Sequence, residues 1–327
     1  MANFIDRAQL MPVYRTIRLT TPKELVAIIK TLRPHRAPGK DGITAPLLRE
    51  LSRKAIVFLV MLINASLLLR HFPTPWKEAV TIFLHKPGKD ARDPSNYRGI
   101  SLLSIPGKIL EKVIASRLDD VTKRLRSIPP HQHGFTSGKG CITQLHRVVD
   151  ELIGHLNNRR AITMVSLDLS KVFDSVWHEG LLNKLHQMEY PLDLVLLLKS
   201  YLSGRSFCAR VGSTFSSRRD LQCGVPQESK LGPKLFVLFT ADIPVRQGRL
   251  VANYADDTAL ITASTNRQRS LQLAQSALDD TVGYYGRWRL KNNASKTQAI
   301  LFGKNRSRNI QCVYYKTYPG GSCFPPR

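Results

Sequence analysis

Apolar and polar positions along this chain repeat with a period that shifts between two and roughly 3.6, and the shifts mark its elements. Ile162-Thr163-Met164-Val165-Ser166-Leu167 is a β-like run that closes on Asp168. Leu250-Val251-Ala252 and Ala259-Leu260-Ile261 flank Tyr254-Ala255-Asp256-Asp257, a pattern of strand, acidic turn and strand. Glu78–His85 and Tyr97–Leu103 read as two more strands, able to pair across the basic loop Lys86-Pro87-Gly88-Lys89. Gln298–Phe302 is the last strand candidate.

The helical period predicts a helix over Pro22–Leu32, with Thr21 as N-cap and Pro22 in the first turn. A long amphipathic helix is expected from Ala45 to Arg70, stopped by Phe72-Pro73. Further helices are expected at Pro106–Arg126, Ile142–Asn157, His178–His186, Lys234–Asp242 and Gln268–Trp288. Two turn-rich loops stand out, Arg36–Gly42 and Cys223–Pro233. After Lys304 the pattern dissolves, and residues 306–327 read as an irregular, truncated tail.

Charge adds a partner to this picture. The chain carries 49 Lys and Arg against 24 Asp and Glu, a formal net charge of +25. Self-repulsion of that size opposes compaction, and it suits a polyanionic partner such as nucleic acid. A membrane partner is disfavoured: the longest apolar run, Ala55–Ile63, is too short to span a bilayer. The first residues also lack the apolar core of a secretory signal, so an intracellular protein is expected. The five cysteines are widely spaced with no C-x-x-C pair, so neither a disulfide framework nor a zinc knuckle is indicated.

The candidate chemistry lies in the acids. Asp256 and Asp257 repel each other at a hairpin turn unless a cation lies between them. With Asp168 they put three carboxylates at the ends of predicted strands, which is what a two-metal phosphoryl-transfer site needs. An isolated Asp-Asp pair is otherwise read as a solvated turn.

Several ordered motifs carry a resemblance. They are Ala37–Gly42, His85–Lys89, Asn96–Leu103, Leu167–Asp174 with Val176-Trp177-His178, Gly224–Pro233, Tyr254–Asp257, and Trp288–Asn293 with Lys296-Thr297. In this order the segments resemble the reverse transcriptases of non-LTR retrotransposons, most closely the jockey-like elements of insects, over residues 30 to 305.

The resemblance implies an α+β right-hand polymerase. An N-terminal extension and mostly helical fingers occupy residues 1–160. A palm with a small antiparallel sheet flanked by helices occupies 161–305, with a helical insertion at about 175–220. The thumb is expected to be largely absent, and no segment resembles the endonuclease that usually precedes such a polymerase. The implied activity is RNA-templated extension of a DNA primer 3′-hydroxyl with dNTPs, in the nucleus at the site of integration. The alternative is a catalytically inactive, nucleic-acid-binding remnant of such an element.

The resemblance also assigns residues. Asp168, Asp256 and Asp257 are expected to hold two Mg²⁺ ions, with Mn²⁺ as a substitute and the Leu169 carbonyl as a further ligand. Phe173 is expected against the sugar of the incoming nucleotide, where it excludes a 2′-hydroxyl; its plain alternative is a core position. Lys86, Lys89 and Arg98 are expected to meet the triphosphate, Arg98 foremost because its fork matches phosphate oxygens. Gln227 is expected beneath the nascent base pair, and Lys296 as the lysine that protonates pyrophosphate or, alternatively, as a surface charge.

Four positions depart from the family pattern, among them Gly99 where proline is usual, Val172 where alanine is usual, and Glu228 where glycine is expected. Lys230 also replaces an apolar residue. Glycine permits a left-handed backbone or a close approach. Glu228 is therefore expected to strain its loop and weaken activity, with Lys230 folding back to answer its charge.

Overall fold

The structure, a computed structural model, describes residues 17–304 and 310–316. The N-terminal stretch 1–16 and the tail stretches 305–309 and 317–327 lie outside the described residues. The helices are α1 (Pro22–Lys30), α2 (Ala45–Arg49), α3 (Arg53–Leu68), α4 (Ile105–Leu125), α5 (Cys141–Asn157), α6 (His178–Gln187), α7 (Leu192–Leu202), α8 (Leu231–Phe239) and α9 (Arg267–Arg287). The longer strands are β1 (Glu78–His85), β2 (Tyr97–Leu103) and β3 (Ala161–Leu167), followed by the short β4 (Leu169–Ser170). Next come β5 (Arg205–Val211), β6 (Thr214–Phe215), β7 (Arg219–Leu221), β8 (Arg249–Tyr254), β9 (Asp257–Ser264), β10 (Lys291–Asn292), β11 (Gln298–Lys304) and β12 (Ile310–Lys316). Helix and sheet are thus mixed throughout.

The chain forms two compact units, each built from two separate stretches. Of the described residues, the first takes those up to Arg126 together with His178–Leu235, and the second takes Ser127–Trp177 with those from Phe236 on.

In the first unit, Thr21 caps α1 as its sequence requires, its hydroxyl accepting from the Glu24 amide at 3.2 Å. The single helix expected from Ala45 to Arg70 is instead two. Ser52 is extended and accepts from the Ala55 amide at 3.3 Å, so a serine that competes for backbone donors starts a new helix inside an otherwise helical pattern. β1 and β2 pair as the expected hairpin, with His85 opposite Tyr97 and Leu84 opposite Arg98. An element not foreseen, β5, joins β1 in parallel. The helix α7 falls inside the helical insertion expected at about 175–220, and its residues Leu194 to Leu198 are all buried. An unbroken run of buried apolar residues leaves no clear stripe, so its period does not mark the bounds of the helix. Arg117, buried on α4, grips both oxygens of the Glu24 carboxylate.

The second unit is built on a five-stranded antiparallel sheet in the order β12-β11-β3-β9-β8. Side chains alternate across it. Ile162 and Ile261 face α5, where they form a cluster with Leu156, Leu152 and Val148. Their neighbours Thr163 and Thr262 face α9, where both bond Ser270 at 2.8 and 3.1 Å. Residues 310–316, expected to be irregular, form β12 alongside β11. The apolar helix expected at Lys234–Asp242 begins earlier, at Leu231, and ends at Phe239.

Candidate active site

The site is built at one end of this sheet. Leu167 is paired with Thr258, and Tyr254 with Asp257. Asp168 therefore lies one residue beyond β3, beside the start of β9, where Asp257 closes the hairpin and Asp256 sits in its turn. Sheet register alone brings the three acids to a common edge. Their proximity has an electrostatic signature. The Asp257 carboxyl is pushed above the usual aspartate value, first by partial burial and then by the negative charges of Asp256 and Asp168.

Asp168 is braced by the segment that follows α9. Its carbonyl accepts from the Asn293 amide at 2.8 Å, and its Oδ2 accepts from Asn293 Nδ2 at 3.1 Å. Lys296 Nζ stands 3.3 Å from the same carboxylate oxygen, with the lysine side chain 67% exposed. Leu169 is buried in β4, opposite Asn292 of β10. Phe173 is half-buried in the short turn that follows, its ring 5.4 Å from that of Phe236 at 51°. Asp168, Asp256, Asp257, Leu169, Phe173 and Lys296 thus belong to one unit.

Lys86, Lys89, Arg98 and Gln227 belong to the other unit. The first three are exposed on the β1–β2 hairpin and its loop, which is closed by the Lys86 amide donating to the Asn96 carbonyl at 2.8 Å. Gln227 is half-buried in a loop pinned from several sides. His178 Nε2 donates to the Gly224 carbonyl at 2.6 Å, and Ser229 Oγ accepts from the Gly232 amide at 2.7 Å. The Lys230 amide donates to the buried Glu111 carboxylate at 3.0 Å, which also holds Tyr201 Oη at 3.1 Å. Burial pushes the Glu111 carboxyl up.

Glu228 in this loop has φ +66°, the left-handed conformation that its glycine-like position requires. The charge correction differs from expectation: Arg36, at 3.4 Å, pairs with the Glu228 carboxylate rather than Lys230. The Lys230 backbone amide is committed to Glu111.

The donor set suits a hard cation, because the three acids offer carboxylate oxygens. Among the described residues, no three His, Cys, Asp or Glu side chains close around a metal ion by themselves. An ion here would keep much of its shell for water and phosphate, as Mg²⁺ does.

Comparison with known proteins settles the family. The model for reverse transcriptase (RNA-dependent DNA polymerase) matches residues 84–316. The "Probable RNA-directed DNA polymerase from transposon BS" of Drosophila melanogaster is 37% identical over 283 residues, 84% of this chain and 31% of that protein. The "RNA-directed DNA polymerase from mobile element jockey" of the same organism is 36% identical over 293 residues, covering 86% and 32%. The chain belongs to the reverse transcriptase family. It resembles the non-LTR, jockey-like branch and spans about a third of the length of the curated relatives it matches.

Sequence reasoning missed the residues that support this candidate site. Gln132, Gly134, Gln144 and Asn253 bond to one another and to the acidic turn within the second unit. Asn293 carries Asp168. A signal was present at Asn253, a polar residue that interrupts an apolar strand, and in Gln132-His133-Gly134 after a Pro-Pro pair.

The raised Asp257 carboxyl gives a pH prediction. Its folded form favours the proton, so its stabilising contribution is complete below the ordinary aspartate value and is lost as pH rises through the raised one. Above both values the charged group costs stability. Asp257→Asn should raise the melting temperature at neutral pH in EDTA, and the gain should vanish as pH falls towards the ordinary aspartate range. Thermal melts across a pH series check this, and a gain that persists in acid would mean the charges are not its source.

Proposed function

We propose that this chain is the polymerase portion of a non-LTR retrotransposon protein that copies an RNA template into DNA. The second unit would be its palm and the first its fingers, with the sheet of the second unit as the catalytic floor. The observation that carries the reading is the common edge reached by Asp168, Asp256 and Asp257 through strand register. The positive charge of +25 supports an RNA template and DNA primer as partners. No helix among the described residues is long and apolar enough to cross a membrane. A nuclear site of action follows from the same reading.

The reaction is nucleotidyl transfer. The primer 3′-hydroxyl gives up its proton to water and its oxygen attacks the α-phosphorus of a dNTP; the new O–P bond forms as the bond from the α-phosphorus to the bridging oxygen breaks, and pyrophosphate leaves with that electron pair. Two Mg²⁺ ions, or Mn²⁺ in their place, held by the three acids would activate the attacking oxygen and neutralise the leaving one. Asn293 fixes the Asp168 carboxylate for that task. Lys296 would give a proton to pyrophosphate, a role that its exposed position beside the Asp168 carboxylate supports. Phe173 would set its ring against the sugar, braced by Phe236. Arg98, Lys86 and Lys89 would meet the triphosphate, and Gln227 the nascent pair.

Glu228 bears on how fast this chain works. A side chain in the left-handed region costs roughly 1–2 kcal/mol. Its ion pair with Arg36 joins two half-exposed groups and offsets little of that. The chain as written should extend primers weakly. Glu228→Gly should raise the extension rate about tenfold, the equivalent of that strain, with duplex affinity unchanged. Primer extension and duplex binding measured side by side decide it; full activity in the unchanged chain would mean that the loop works with its side chain.

In the Glu228→Gly background, Asp256→Ala should abolish Mg²⁺-dependent primer extension by roughly a hundredfold or more while duplex binding persists, since the change removes a group that acts on developing charge. Extension that survives Asp256→Ala would remove the two-metal reading. Binding without extension in both proteins would point to an inactive nucleic-acid-binding remnant.

Phe173→Val should admit ribonucleotides. Steric exclusion of a hydroxyl is worth about 1–3 kcal/mol, so dNTP preference should fall roughly ten- to a hundredfold. Single-nucleotide incorporation of dNTP against rNTP measures it, and unchanged preference would return Phe173 to the core.

A further inference from the structure

The acidic turn is held in a conformation that its sequence does not favour. Ala255 has φ +59° and is 8% exposed, so a residue with a Cβ sits left-handed and buried directly before the two aspartates. The turn lacks the glycine that would adopt this shape freely. Something outside the hairpin must hold it.

Gln132 meets that need. Its side chain, on a residue 2% exposed, grips both polar backbone groups of Ala255. Oε1 accepts from the Ala255 amide at 3.1 Å, and Nε2 donates to the Ala255 carbonyl at 3.4 Å. The same Oε1 accepts from the Gly134 amide at 2.7 Å, which fixes the rotamer. The backbone on either side extends the grip. The His133 amide donates to the Asn253 carbonyl and the Asn253 amide to the His131 carbonyl, both at 2.9 Å. Gln144 Nε2 bonds the same two carbonyls at 3.0 and 2.9 Å. Gly134 lies so close that a Cβ there would stand 2.0 Å from the Ala255 nitrogen. The close approach is with backbone, which cannot yield as a flexible side chain can.

We propose that Gln132 is a positioning residue for catalysis: its amide clasps Ala255 and thereby sets the direction in which Asp256 and Asp257 present their carboxylates to the metal ions. The inference rests on the reading that these aspartates are the catalytic acids. A purely structural role predicts something different. The hairpin is already paired along six positions of β8 and β9 without Gln132. Loss of the clasp should therefore loosen the turn and leave the sheet intact.

The test uses the full chain with three substitutions. Gln132→Met keeps the volume and removes the hydrogen bonds. Gly134→Ala drives a methyl group against Ala255. Gln132→Glu keeps the acceptor for the Ala255 and Gly134 amides. Hydrogen exchange is read at the peptide spanning residues 254–257 and at β3 and β11, and Mn²⁺ affinity is read by paramagnetic resonance. Gln132→Met and Gly134→Ala should each speed exchange at the turn about tenfold and weaken Mn²⁺ about tenfold, the scale of one net hydrogen bond. Exchange in β3 and β11 should not change, and Gln132→Glu should keep the turn protected. Unchanged turn exchange in Gln132→Met, or faster exchange spread across the whole sheet, would overturn the clasp. Neither readout needs primer extension: absent extension with a protected turn would count against the polymerase reading alone.

Discussion

Three like charges at one end of a sheet are the constraint around which the second unit is arranged. Partial burial, followed by the negative charges of Asp256 and Asp168, raises the Asp257 carboxyl, and neighbouring segments brace the acids. Asn293 donates to Asp168 from the backbone and from its side chain. Lys296 adds a positive charge to the same oxygen. Gln132 holds the turn from the other side. The remaining imbalance is what a pair of divalent cations would neutralise.

The same economy of local strain recurs in the first unit. Glu228 is left-handed, as is Ala255 in the second, and in each case buried polar groups hold the neighbouring backbone. For Ala255 the holder is Gln132. For the loop of Glu228 it is Glu111, which receives the Lys230 amide and the Tyr201 hydroxyl while fully buried. Polar groups in a low-dielectric interior are costly unless satisfied, and satisfied ones fix a single conformation. Strained residues beside a reaction site are held by such networks.

Buried helices and buried polar residues were the elements hidden from the sequence. α7 buries the unbroken run Leu194–Leu198, so its leucines carry no period that marks its bounds. The parallel pairing of β5 with β1 joins residues far apart in the chain, and nothing local records it. Ser52 divided a helix that hydrophobic pattern alone makes continuous. The first two misses share an origin: pattern reports which face of an element is buried, and it says little when every face is buried or when a partner is distant.

What the sequence determined by itself was the set of amphipathic elements and the identity of the acids. Alternation in Ile162–Leu167 and around Tyr254–Asp257 marked the strands, and the two adjacent aspartates marked the turn between them. The glycine-like demand at position 228 was also legible, and φ +66° is its structural form. Tertiary structure alone decided that Leu167 aligns with Thr258 and so carries Asp168 to the acidic turn. It also decided that Gln132, more than a hundred residues away, grips Ala255, and that Arg36 rather than Lys230 answers Glu228. Side-chain hydrogen bonds and ion pairs depend on angstrom-scale positions set by the packing of the whole unit, and a periodicity of two or roughly 3.6 residues carries no such information.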